Sequence, residues 1–150
     1  MADEPVFHEP VQQVAALCWR ARPLPEMLLI TSLDTRRWIL PKGWPVKGMS
    51  LARSAAIEAH EEAGVTGEVR DTALGDYLYL KERKGGSAIP CRVSVFALKV
   101  TRQDRNFAEK GARELCWLPV DEAAHRVAEP ELRHILLAFR KSLTPARHRA

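Results

Sequence analysis

Residues 11–20 (VQQVAALCWR) and 26–32 (EMLLITS) are apolar runs separated by ARPLP, whose two prolines interrupt any continuous element. They predict two strands joined by a turn. A short strand is expected at 36–40 (RRWIL), followed by PKGWPVKG, where two prolines and two glycines oppose regular structure and keep the backbone accessible. The pattern then changes. Ser50 suits an N-cap, SLARSAAIEAHEEAG is rich in alanine, and Gly64 suits the C′ position, so a helix is predicted over Leu51–Ala63. Residues 66–82 and 89–101 carry strand-like residues around a Gly85-Gly86 turn, and 115–119 give one more short strand. In the segment Tyr77-Leu78-Tyr79-Leu80, rings and aliphatic side chains alternate. From Asp121 the chain reads as helical, breaks before Pro130, and resumes over 131–142 with Leu132, Ile135, Leu136 and Phe139 at helical spacing. The expected class is α/β, with helices covering a mixed sheet.

At 150 residues the chain fits one domain large enough to bury a core without disulfide or metal staples. Residues 1–10 read as an N-terminal extension, 11–143 as the domain, and 144–150 as a basic tail without apolar periodicity. Cys18, Cys91 and Cys116 are odd in number and far apart, which fits reduced core thiols and neither a disulfide frame nor a zinc site. With no signal-like start and no apolar run of membrane-spanning length, the expectation is a cytoplasmic protein that does not enter a membrane. A net charge of +4 with pI near 9.2 makes anionic partners plausible, yet no basic stripe with interleaved aromatics supports nucleic-acid binding.

Three glutamates concentrate the chemistry. Glu58, Glu61 and Glu62 share the predicted helix, although the Glu58–Glu62 pair, four residues apart near a C-terminus, costs helix stability. At about 100° per residue from Leu51, the apolar arc of Leu51, Ala55, Ala59 and Ala63 spans roughly 0° to 120°, with Glu62 near 20° and Glu58 near 340°. Two carboxylates therefore border or enter the buried face, while Arg53 and His60 fall outward and His60 reads as a surface residue. Clustered, partly buried carboxylates need cations, and hard oxygen ligands suit magnesium or manganese.

The stretch PKGWPVKGMSLARSAAIEAHEEAGV resembles the Nudix box, in which a glycine, five residues, a glutamate and seven residues precede Arg-Glu-aliphatic-any-Glu-Glu-any-Gly-aliphatic. Gly43 matches the leading glycine, Glu58 the glutamate after the usual arginine, Glu61 and Glu62 the paired glutamates, and Gly64-Val65 the close. The resemblance implies a Nudix fold, a mixed β-sheet sandwiched between α-helices. It also implies that Glu58, Glu61 and Glu62 bind Mg2+, with Mn2+ as the alternative. Met49 and Ile57 replace the usual first glutamate and arginine; the joint loss of charge is coherent if they form an apolar substitute for a structural pair.

The segments AALCWR, EMLLITS and RRWILPKG look like the diphosphoinositol-polyphosphate and diadenosine-polyphosphate branch of that family. The implied activity is hydrolysis of a phosphoric anhydride in a phosphate-rich small molecule. Nucleotide sugars or nucleoside triphosphates are the alternative substrates, and a Nudix-fold binding module of weak turnover is the alternative role. Candidate substrate contacts are Lys42 and Gly43 on the loop entering the helix, Arg36 and Arg37 before it, and Arg83 and Lys84 in KERK. Trp44 is expected to pack against its loop more than to stack on a base. The resemblance places the general base on a box glutamate or in a later loop, where Glu109 is preferred to Glu114. Monomer and homodimer stay open.

Overall fold

The computed structural model describes residues 9–21, 23–82 and 85–143. Arg83, Lys84, most of the N-terminal extension and the basic tail lie outside the described residues.

Among the described residues one mixed sheet has eight strands: β1 (Val11–Arg20), β2 (Glu26–Thr31), β3 (Trp38–Ile39), β4 (Lys42–Gly43), β5 (Val65–Val69), β6 (Gly75–Glu82), β7 (Ala88–Gln103) and β8 (Leu115–Pro119). The central pair is parallel, β1 on β7, running from Val11 opposite Cys91 to Trp19 opposite Lys99. The outer edge of β1 is shared, with β4 pairing at Val14 and Ala15 and β2 at Trp19 and Arg20.

Alternation along β1 divides the core in two, because successive strand side chains point to opposite faces. Val14, Ala16 and Cys18 face α1 (Leu51–Ala63), which presents Ala52, Ala55, Ala59 and Ala63. Ala15, Leu17 and Trp19 face α2 (Val120–Arg126) and α3 (Pro130–Ser142), where Leu132, Leu136 and Phe139 are buried. Helices thus cover both faces of the sheet, as expected. No helix among the described residues is long and apolar enough to cross a membrane.

The ends of α1 follow from the residues named for them. The Ser50 side chain accepts a hydrogen bond from the Arg53 N–H, and Gly64 adopts φ 72°, a left-handed conformation in which its N–H caps the His60 carbonyl.

Two expectations need correction. The loop after residue 40 contains a two-residue strand, β4, because Lys42 and Gly43 can still pair with β1 between the flanking prolines. The segment 66–82 is two strands, which lie one after the other along β7: β5 pairs with its C-terminal part and β6 with its N-terminal part. Between them the chain bends at Asp71 and Thr72, while the Arg70 and Leu74 N–H groups bond the Ala97 and Val95 carbonyls.

Candidate active site

The C-terminal half of α1 meets three other segments at one end of the sheet. β4 brings Lys42 and Gly43 beside the helix. The Lys42 backbone N–H donates to Glu62 Oε1 at 2.9 Å. Gly43 leaves room for Glu58: a Cβ there would stand 2.6 Å from each oxygen of the Glu58 carboxylate, so that side chain would have to move aside. The segment leading to β8 docks on the end of α1, since the Asp104 N–H bonds the Gly64 carbonyl at 2.8 Å and the Glu109 N–H bonds the Glu61 carbonyl at 2.9 Å. Phe107 packs where a Gly64 side chain would be, and His60 pairs with Asp104 at 2.9 Å. Glu109 is thereby delivered to the glutamates of α1, although 45 or more residues separate them in sequence.

These carboxylates oppose one another. Burial, then the charges of Glu61 and Glu109, push the Glu58 carboxyl up to about 7, with weaker opposition from Arg113 and Lys42. Burial also lifts Glu62 to about 7, against the attraction of Arg113 and the Lys42 N–H. Glu62 is buried, as the helical projection required, whereas Glu61 is exposed. His60 is half-exposed, so its outward placement holds, but it is not free: it ties α1 to Asp104.

An open cleft of about 510 Å³ adjoins the carboxylates, with Glu58, Glu62, Lys42, Gly43 and Arg37 on its walls. Lys42 Nζ donates to the Tyr79 hydroxyl at 3.0 Å, and that hydroxyl donates to Gln13 Oε1 at 2.7 Å. Burial, then Lys81, lowers the Lys42 pKa from its ordinary value. Tyr77 and Tyr79 line the cleft from one face of β6, an outcome visible in the ring-and-aliphatic alternation.

Other candidates fall differently. Arg36 is not on the cleft wall; its φ of 56° turns the chain, and its guanidinium donates to the Ala112 carbonyl at 3.3 Å. Glu61 and Glu109 stand beside the cleft and do not line it. Trp44 is 46% exposed, lies on the cleft wall and joins neither core cluster. Met49 is 44% exposed, Ile57 is partly buried, and neither belongs to a core cluster. Arg113 is the residue that sequence reasoning missed. Buried on the segment before β8, it bonds Glu62 and Glu109, and the only sequence hint is its i,i+4 spacing from Glu109.

The donor chemistry suits a hard divalent cation: Glu58, Glu61, Glu62 and Glu109 supply charged oxygens, and burial, then the charges of Glu61 and Glu109, disfavour the ionised Glu58 that a cation would stabilise. Among the described residues, no three carboxylate, histidine or cysteine side chains already converge as a metal-ligand group. Side-chain rotation about fixed backbone positions would have to complete such a site.

Residues 11–139 match the NUDIX domain model, and the chain belongs to the NUDIX family. Nudix hydrolase 12, mitochondrial, of Arabidopsis thaliana is 34% identical over 104 residues, covering 65% of this chain and 50% of that protein. Nudix hydrolase 16, mitochondrial, of the same plant is 29% identical over 115 residues, covering 75% and 63%. The chain thus spans about half to under two thirds of these relatives. Among solved structures, the C. elegans Ap4A hydrolase superposes with TM-score 0.63 at 19% identity, covering 91% of this chain and all of that one. The NUDIX domain of Shewanella oneidensis NrtR, complexed with ADP ribose, gives 0.67 at 14% identity, covering 92% and 91%. At such identities the likeness concerns the fold.

Proposed function

We propose that this protein is a divalent-metal-dependent pyrophosphohydrolase acting on a phosphate-rich small molecule, with dinucleoside polyphosphates and diphosphoinositol polyphosphates as the first substrate classes to test. The observation that carries this reading is the Glu58 carboxylate, seated against Gly43 on the wall of a cleft that also holds Lys42 and Arg37. Family membership and relatives named as hydrolases support turnover.

In this reading Glu58, Glu61 and Glu62 hold magnesium or manganese, which when bound neutralises diphosphate oxygens and acidifies an attacking water. Lys42 and Arg37, which line the same cleft, bind phosphate oxygens. Tyr79 and Gln13 fix the Lys42 ammonium, so little side-chain entropy remains to be lost on binding. Glu109 accepts the proton from water: Arg113 bonds its Oε1, and Oε2 has no hydrogen-bond partner among the described residues.

The test is phosphate release by purified protein from a dinucleoside polyphosphate, a diphosphoinositol polyphosphate, ADP-ribose and a nucleoside triphosphate, with Mg2+, with Mn2+ and with a chelator. Hydrolysis that a chelator abolishes and metal restores is expected. Full turnover in chelator would sink the metal assignment. Tight binding of these compounds without hydrolysis would favour a binding module, a reading for which the hold of Arg113 on Glu62 is the motive.

A further inference from the structure

Arg113 is a buried cation with an unusual set of partners. Its side chain is 8% exposed, and its guanidinium reaches three segments. Nη1 donates to the Thr31 carbonyl at the end of β2 at 3.0 Å, and Nη2 donates to Glu62 Oε2 at 3.1 Å and to Glu109 Oε1 at 3.2 Å. Nε adds a longer bond to Glu109 Oε1 at 3.4 Å.

Local structure explains how position 113 gets there. The Lys110 N–H bonds the Phe107 carbonyl, the Ala112 N–H bonds the Glu109 carbonyl, and Gly111 takes φ 85°, so the chain turns tightly between Glu109 and Arg113. The two side chains emerge side by side. Glu62 arrives from α1 with its other oxygen already held by the Lys42 N–H. A buried guanidinium is tolerated only when its donors are satisfied, and here two of the three acceptors are carboxylates of the candidate site.

We propose that Arg113 is a positioning residue that locks the Glu62 and Glu109 carboxylates to each other. The catalytic consequence rests on the hydrolytic reading above; the coupling of the two carboxylates does not. Without the guanidinium, Glu62 and Glu109 face each other as uncompensated like charges at a site that must hold both steady. A lysine keeps the charge but lacks the planar fork, so it can satisfy only part of this arrangement.

Two measurements on the full chain test the proposal. The first is urea unfolding in chelator at pH 8 for wild type, Arg113→Gln, Glu62→Gln and the double variant. Arg113→Gln should lower the midpoint on the order of 1 M, and the double variant should unfold at higher urea than Arg113→Gln alone, since one of two stranded charges is gone. Strictly additive losses would overturn the coupling.

The second is steady-state hydrolysis. Arg113→Gln should lower kcat about 100-fold with KM within about threefold, the signature of misplaced groups in a site that still binds. Arg113→Lys should recover part of kcat and serves as the folded comparison if the glutamine variant is too unstable. Wild-type kcat in Arg113→Gln, or a loss confined to KM, would overturn the positioning role. If the wild type hydrolyses none of the substrates, the hydrolytic reading fails and the unfolding cycle alone decides whether Arg113 couples the carboxylates.

Discussion

The Glu58 carboxylate fills the space that a side chain at Gly43 would occupy, with both oxygens 2.6 Å from the position of a Cβ there. A glycine on β4 and a glutamate on α1 are therefore one steric unit. Gly43→Ala should displace Glu58 and lower kcat by about tenfold or more, on the scale expected for catalytic groups moved by roughly an ångström. The fold should persist, because the glycine is at a two-residue strand on a partly exposed loop. A variant with wild-type kcat would show that Glu58 need not sit against that backbone.

The pH dependence of stability has a definite sign. Glu58 and Glu62 both have folded-state values raised to about 7, above the ordinary 4.5. Between these limits the folded protein binds more protons than the unfolded chain, so these two groups make stability fall as pH rises from about 4.5 to 7. Metal binding requires the ionised forms. Thermal unfolding with saturating Mg2+ against chelator should show a larger metal-induced rise at pH 8 than at pH 5.5. Equal rises at both values would remove these carboxylates from the metal site.

Ligand removal should separate chemistry from folding. Glu58→Gln and Glu61→Gln are each expected to cut turnover by orders of magnitude at saturating Mg2+ while leaving the thermal midpoint in chelator unchanged or higher, since either change relieves repulsion around Glu58. Near wild-type turnover in Glu61→Gln would restrict the metal site to other residues.

Lys42 and Lys81 both line the cleft, and the charge of Lys81 acts against that of Lys42. Lys81→Glu should raise KM more for a diphosphoinositol polyphosphate than for ADP-ribose, because reversing a charge acts on every phosphate nearby. Added salt should shrink the difference. Equal rises in KM across both substrates would leave Lys81 without a part in selection.

Ile57→Arg should be close to neutral for stability, within about 0.5 kcal/mol, because the side chain lies outside both core clusters on the partly exposed side of α1. Urea unfolding measures it. A large loss would show that an apolar contact at position 57 matters after all.

How far the sequence spoke depended on whether a feature was local. Helix α1 could be read to its limits because Ser50, the alanine face and Gly64 act within one turn of the residues they govern. The inward lean of Glu62 followed from the same periodicity. Arg113 was out of reach because its partner Glu62 is reached through two backbone bonds from its segment to the end of α1, and the i,i+4 spacing from Glu109 points to only one of its partners. The exposure of Trp44 was equally out of reach, since the neighbours of a loop aromatic are set by which strands border the loop.

The parallel pairing of β1 with β7 fixes an order of events during synthesis. Val11 is paired with Cys91 and Trp19 with Lys99, so this largely buried strand waits for a partner 80 residues downstream. At translation rates of about 5–20 residues per second, that delay is on the order of 4 to 16 seconds. Throughout it, the run from Val14 to Trp19 has no partner on its β7 edge in a chain still attached to the ribosome. Exposed apolar surface and an unpaired strand edge of this kind favour aggregation of a nascent chain.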